Sequence, residues 1–194
     1  MKQRQSRFRL FGIGSVTLAA VVMLSFSPTA SASTTHEAVG QQETSVAVAT
    51  KVSEAEYAKV RATATKLPGE SDRNGTRGTL GASVLAGSPP NTTLPYDSTY
   101  EVRYSLNSGK RWQTSTARAC IYIRSNGNQG GNITAEVRTD GGTRWGPVIT
   151  FPQDGVTRNY CVTGLRTDYV YHVYLTNPIY RPIPGATGAI TVTK

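Results

Sequence analysis

Arginine and tyrosine side chains recur along segments that have the two-residue period of β-strands. An arginine presents a planar fork of N–H donors that suits carboxylate and phosphate groups, and a tyrosine ring can lie beside it. The alternative is ordinary solubilising charge on exposed strands. We predict an outward sheet face that grips an acidic polymer, formed by Arg103, Arg118, Tyr122, Arg124, Arg138, Arg158 and Tyr174.

Two tryptophans lie beside arginines in predicted loops. Trp112 follows Arg111, and Trp145 follows Arg144. An indole in such a loop can stack on a sugar or insert into a partner's pocket. The same ring can instead fold back as a lid on the core. The proline-rich stretch 177–184 leaves a similar choice between a recognition loop and a long connection.

Catalytic arrangements are hard to build from this sequence. A hydrolase with a histidine base has only His172, because His36 lies in a segment that reads as disordered, and we expect His172 to be an exposed polar residue on an outward strand position. A glycosidase needs two carboxylates facing one cleft, but Glu101 and Glu136 lie among arginines and the aspartates lie in turns. No phosphate loop, dinucleotide motif or metal-ligand cluster occurs. We therefore expect a protein that is not an enzyme and uses no cofactor or metal.

The two cysteines, Cys120 and Cys161, predict a disulfide. Both fall on the outward phase of predicted strands, whereas a bridge between two sheets would need both on the apolar phase. We therefore predict a bridge between neighbouring strands on the outer face of one sheet. Two unpaired thiols are the alternative. A zinc site would need about four ligands, and neither histidine is near a cysteine in the sequence.

Residues 1–32 have the order of a secretory signal peptide. Four basic residues precede an apolar stretch at 10–26, and Ala30-Ser31-Ala32 supplies the small residues of a cleavage site. The alternative is a permanent anchor, but the apolar run is shorter than about 20 residues and is interrupted by glycines. We expect a secreted, extracellular protein of bacterial type that has no membrane contact after cleavage.

Removing this segment changes the charge of the protein. The 194 residues carry a formal net charge of +9, and four basic but no acidic residues lie in 1–32, which leaves +5. Export argues against nucleic acid as the physiological partner, although the charge would suit it. Two functions remain. One is a non-enzymatic binding module for an anionic wall polymer or acidic glycan. The other is a secreted effector acting on another protein, such as a protease inhibitor or a bacteriocin-like toxin.

The rest of the chain divides into a leader and a β domain. The polar leader or pro-segment, residues 33–78, has a predicted helix near 53–66, where Ser53 and Glu56 have the spacing of a capping box. It is either removed or kept as a spacer. From residue 79 to 194 the apolar period is two, and turn signals such as Asp140-Gly141 separate the strands. An antiparallel β-sandwich is expected, with strands near 80–86, 99–106, 117–124, 132–138, 146–151, 156–163, 169–176 and 187–193.

The segment 162–173 resembles the end of a fibronectin type III domain. There a strand that ends in leucine is followed six residues later by a tyrosine, and Leu165 and Tyr171 have this spacing. The resemblance implies an immunoglobulin-like fold in which Tyr171 forms a tyrosine corner. It also implies that Cys120 and Cys161 lie on the second and fifth strands, which are neighbours in one sheet. It implies no activity.

Overall fold

The structure is a computed structural model that describes residues 45–71, 89–126, 131–178 and 185–194. The predicted signal peptide, the predicted strand at 80–86 and residues 179–184 of the proline-rich stretch lie outside these ranges. Among the described residues, no helix combines the length and the apolar character that a membrane span requires.

The protein is mostly β. In chain order the elements are β1 (Val46–Val48), β2 (Thr50–Lys51), α1 (Glu54–Ala62), β3 (Thr65–Lys66), β4 (Glu70–Ser71), β5 (Tyr96–Val102), β6 (Ser105–Asn107), β7 (Arg118–Asn126), β8 (Asn132–Thr139), β9 (Arg144–Pro152), β10 (Thr157–Thr163), β11 (Tyr171–Thr176) and β12 (Ala186–Thr193). The predicted all-β class is therefore confirmed.

The strands form two sheets. The five-stranded sheet has the order β1-β9-β8-β11-β6, and the seven-stranded sheet has the order β2-β10-β7-β12-β5-β3, with β4 pairing further along β5. The pairs among β5–β12 are antiparallel, as the sequence predicts, but β1, β3 and β4 each pair with their neighbour in parallel. These exceptions all come from the segment before residue 72.

One apolar core contains side chains from both sheets. Alternation along the strands produces it, because successive side chains point to opposite faces of a sheet. Its fully buried members include Tyr96, Val102, Ile121, Ile123, Ile133, Ala135, Val137, Ile149, Phe151, Tyr171, Val173, Leu175 and Val192. We call the side of each sheet that faces away from this core its outer face.

One predicted strand divides between the sheets. The alternation of Tyr100, Val102, Tyr104 and Leu106 reads as a single strand, but the chain bends after Val102. β5 belongs to the seven-stranded sheet and β6 to the five-stranded sheet. Tyr100, Val102 and Leu106 are buried, and Tyr104 is half-buried. The alternation of apolar residues therefore continues through the bend and gives no sign of it.

The two Asp-Gly turns make different kinds of connection. Asp140-Gly141 joins β8 and β9, which pair antiparallel, so the predicted hairpin is confirmed. Gly142 adopts a φ of +81° in this turn, a backbone conformation that residues with a Cβ rarely adopt. Asp154-Gly155 instead carries the chain from one sheet to the other, since β9 and β10 lie in different sheets.

Residues 45–71 wrap around the seven-stranded sheet, and we call them the strap. β1 joins the edge of the five-stranded sheet, and β2 joins the adjacent edge of the seven-stranded sheet. α1 then crosses the outer face of that sheet, and β3 and β4 pair with β5 near its other edge. The sequence assigned these residues to a leader before the β domain, whereas the structure gives them a place in both sheets.

α1 begins as its sequence predicts and ends earlier. Ser53 is the N-cap, and its Oγ accepts a hydrogen bond from the Glu56 N–H at 3.2 Å. The helix ends at Ala62 rather than near residue 66, because Thr65 and Lys66 pair with β5. The N–H and C=O groups of this segment bond to β5, so they are not available for another turn of the helix.

Candidate functional site

The predicted disulfide is present. Cys120 in β7 and Cys161 in β10 are directly opposite each other in register, with an S–S distance of 2.01 Å. The bridge thus joins neighbouring strands on the outer face of one sheet. Cys120 is nevertheless buried, because α1 and the residues around it cover this part of the face. Cys120 packs there with Val52, Tyr57 and Tyr122 in a second apolar cluster.

A polar network fixes α1 to the sheet beneath it. Arg61 donates from Nε and Nη2 to Oδ2 of Asp97 at 3.0 and 2.7 Å. Thr191 Oγ1 donates to the other carboxylate oxygen of Asp97 at 2.7 Å and lies 3.3 Å from the Tyr57 hydroxyl. The Asp97 side chain is only 5% exposed. Hydrogen bonds from Arg61 and Thr191 therefore replace the water contacts that a buried carboxylate loses.

The arginines and tyrosines predicted to form one face lie in three different settings. Arg118, Tyr122 and Arg124 belong to the outer face of the seven-stranded sheet, on the side that carries α1. Arg138 and Tyr174 belong to the outer face of the five-stranded sheet, on the opposite side of the core. The prediction of a single Arg/Tyr face is therefore wrong.

Arg158 and Arg103 depart from the predicted outward phase in other ways. Arg158 is opposite Ile123, a core residue, so it lies on the inward phase of β10. Its guanidinium forms a two-pronged ion pair with Asp154 at 2.7 and 2.8 Å. Hydrogen bonds from Arg158 lower the pKa of Asp154 to about 2. Arg103 lies at the bend between β5 and β6.

Most of these arginines already have partners. Arg124 pairs with Glu54 of α1 at 3.1 Å, and Arg138 pairs with Glu136 at 2.9 Å. Arg118 Nη2 lies 3.1 Å from Cys161 Sγ. A groove of about 540 Å³ beside the end of α1 includes Arg61 and Arg124 in its lining, but both are engaged by carboxylates. This groove is therefore a poor site for a further anion.

Both tryptophans fold onto the core instead of projecting from loops. Trp112 is fully buried and tilts against Tyr171, with ring centroids 5.4 Å apart. Trp145 packs edge-on against Tyr169 and Tyr171, and its Nε1 donates to the Gly164 carbonyl at 3.2 Å. The lid interpretation is thus confirmed, and the interpretation as exposed stacking residues is wrong.

Tyr171 also forms the hydrogen bond expected of a tyrosine corner. Its hydroxyl accepts from the backbone N–H of Arg166 at 2.8 Å, and Leu165 is buried beside it. A hydroxyl that reaches back to the backbone a few residues upstream is the defining contact of this motif. The spacing of Leu165 and Tyr171 therefore predicted a real contact.

A row of basic residues crosses the outer face of the five-stranded sheet. Arg138 of β8 is directly opposite Arg144 of β9 on one side and His172 of β11 on the other. Arg111 is next across the sheet, because the following residue, Trp112, bridges to Tyr171. We call Arg144, Arg138, His172 and Arg111 the basic row.

His172 is buried in this row and not exposed as its sequence position suggested. It is 2% exposed, and its Nδ1 has no hydrogen-bond partner among the described residues. Burial, followed by the charges of Arg138 and Arg111, lowers its pKa to about 4. The imidazole is therefore neutral at pH 7.

Arg144 retains unused hydrogen-bonding capacity. Its Nε is buried without a partner, and no carboxylate lies within ion-pair distance of it among the described residues. Arg138 beside it is different, because its guanidinium stacks over the Tyr174 ring at 3.8 Å while it pairs with Glu136. The basic row therefore places the guanidinium of Arg144, which has no carboxylate partner among the described residues, next to the stacked guanidinium of Arg138.

Arg144 and Arg111 are residues of this row that were not predicted from the sequence as parts of a site. Both were noted only as neighbours of tryptophans. The signal was nevertheless present, since Trp112 and Trp145 face the core and the preceding residue of an extended chain must face away. Treating the tryptophans as core residues would have placed both arginines on the outer face.

No known protein family matches the sequence, and no curated protein is significantly similar to it. Within the described ranges, no group of three or more histidine, cysteine or acidic side chains could hold a metal ion. The surface chemistry of the basic row is therefore the strongest indication of function in this part of the chain.

Proposed function

We propose that this protein is a secreted, non-enzymatic binding module that holds an anionic wall polymer or acidic glycan on the outer face of its five-stranded sheet. The observation that carries the proposal is the basic row, where Arg144 has a guanidinium without a carboxylate partner beside the Arg138–Tyr174 stack. Arginine forks bind carboxylate and phosphate groups, which are the charged groups of such polymers.

The geometry of the row suits an extended ligand. Neighbouring strands of a sheet lie about 4.8 Å apart, so residues opposite each other on β9, β8 and β11 form a line across the sheet. A polymer lying along this line would meet Arg144, Arg138 and Arg111 in turn. Stacking on the Tyr174 ring holds the Arg138 guanidinium in place along this line.

Two finer assignments belong to this proposal. The first is an immunoglobulin or fibronectin type III-like β-sandwich, supported by the Tyr171 corner and by the adjacency of β7 and β10. The second is export by a signal peptide at residues 1–32, followed by an extracellular location. Its support is the order of charge, apolar residues and small residues in that segment, together with the disulfide.

The alternative of an effector acting on another protein has lost its main support. It relied on Trp112 and Trp145 as exposed anchors, and both rings contribute to the core. The proline-rich loop, its other support, falls largely outside the described residues.

Retention on purified bacterial cell walls at rising salt concentration tests the proposal. We expect the wild-type protein to bind at low salt and to be released as salt screens the charges. Arg144→Gln should weaken retention by about tenfold, because a hydrogen bond to a charged group is worth roughly 1.5–3 kcal/mol and part of this is lost to solvent screening.

Arg118→Gln is the matched control. It removes the same charge from the outer face of the other sheet, so non-specific attraction falls equally in both variants. Weakening by Arg144→Gln alone supports a site at the basic row. An equal effect of both substitutions, or no retention of the wild-type protein at low salt, contradicts it.

A further inference from the structure

The edge strand β1 has features of a docking surface. Val46 and Val48 are 67% and 72% exposed, and they are the large apolar side chains of the described residues that lie most open to solvent. No charged residue or proline occurs between Ser45 and Thr50. Exposed edges are normally protected by such residues, because an unpaired strand can recruit another chain.

Within the part of the chain that the structure describes, no second strand pairs with β1 on the side away from β9. The Val148 N–H donates to the Ser45 carbonyl at 3.0 Å, and the Ala49 N–H donates to the Thr150 carbonyl at 3.3 Å. Only alternate residues of a strand bond to a parallel neighbour, so the partners of β9 are residues 45, 47 and 49. The N–H and C=O groups of Val46 and Val48 therefore point away from the sheet.

We propose that two copies of this chain pair through β1, antiparallel and about a two-fold axis at Ala47. Val46 of each copy would be opposite Val48 of the other, and each such pair would exchange two backbone hydrogen bonds. The sequence Val46-Ala47-Val48 is symmetric about its centre, as a contact of identical surfaces requires. All four valines would meet on one face of the joined sheet.

The contact between the two copies is small. Three residues from each copy bury far less than the roughly 1,200 Å² of a standard interface, so the dimer is weak. We expect a dissociation constant of roughly 10 µM to 1 mM. Absence of charge along Ser45–Thr50 keeps repulsion between the two basic copies away from the contact itself. This dimer does not depend on the proposed polymer binding.

Sedimentation across this concentration range tests the dimer, and Val48→Pro is the informative variant. Proline removes the outward N–H of residue 48 but none of the bonds between β1 and β9, so it should abolish self-association while the melting temperature stays nearly unchanged. Val48→Thr is its matched control, because it keeps both the branched side chain and the N–H, and it should still dimerise.

A cross-link distinguishes this register from other contacts. The two-fold axis places Ala47 opposite its own copy, at the short distance of a pair that exchanges no hydrogen bonds. Ala47→Cys should therefore form a disulfide-linked dimer on mild oxidation, whereas Val48→Cys, opposite Val46, should do so much less. A wild-type protein that stays monomeric to 1 mM, or equal cross-linking of both variants, overturns the proposal.

Discussion

His172 shows how one residue can couple the basic row to the stability of the fold. It lies between Arg138 and Arg111 in the register of the sheet, and its Nδ1 has no hydrogen-bond partner among the described residues. A proton on this buried imidazole would add a positive charge beside those of the two arginines. The fold therefore favours the neutral form, which is why its pKa is lowered to about 4.

Acid should destabilise the protein through His172. Its pKa is about 6.5 in the unfolded chain and about 4 in the folded protein, so the unfolded state binds more protons between these values. The stabilisation is complete above pH 6.5 and disappears as the pH falls towards 4, a loss of about 3 kcal/mol. Urea unfolding at a series of pH values measures it.

His172→Gln is the control for this pH dependence. The amide keeps a polar side chain without a titrating group, so the free energy of unfolding should change less between pH 6.5 and 4 than it does in the wild-type protein. An identical pH dependence in both proteins would show that other groups cause the loss.

The strap is the element that the sequence described least well. Its helix and cap were predicted, since Ser53 and Glu56 carry a local signal. Its pairing was not, because β1 to β4 contain only two or three residues each and adopt strand conformation only when a neighbouring strand is present. The long strands of the β domain were predicted closely, because each has enough alternating positions to define a face.

The candidate site also could not be predicted from the alternation within single strands. The arginines were chosen by their phase within single strands, and phase does not tell which sheet a strand enters. Arg118 and Arg138 have the same outward phase but lie on opposite sides of the core. Only the strand order, which depends on contacts far apart in sequence, separates them. The disulfide could be predicted because it joins two neighbouring strands, so only the outward phase of each cysteine was needed.

Removing Arg61 should loosen the strap. Arg61→Ala leaves the carboxylate of Asp97 nearly buried with Thr191 as its remaining side-chain donor, and we expect a loss of about 2 kcal/mol in the free energy of unfolding. The matched control is Arg166→Ala, which breaks an exposed pair with Asp168 and should cost much less, because solvent screens that pair. Equal losses would mean that burial of Asp97 contributes nothing.

At the scale of the whole molecule, the disulfide closes a long loop. Cys120 and Cys161 are 41 residues apart, and a loop of this length restricts the unfolded chain by up to about 4 kcal/mol. The double variant Cys120→Ala/Cys161→Ala should therefore unfold at lower denaturant concentration. Reductant should lower the stability of the wild-type protein and leave the variant unchanged. A variant as stable as the oxidised wild-type protein would contradict this account.

The place of β12 determines when the fold can be completed. This final strand, Ala186–Thr193, lies between β7 and β5, so it joins two parts of the seven-stranded sheet that otherwise do not pair. α1 also depends on it, because Tyr57 meets Thr191. A chain that is synthesised N-terminus first therefore cannot close this sheet until β12 has emerged from the ribosome. The pairs that do not involve β12, such as β7 with β10 and β8 with β11, have no such requirement.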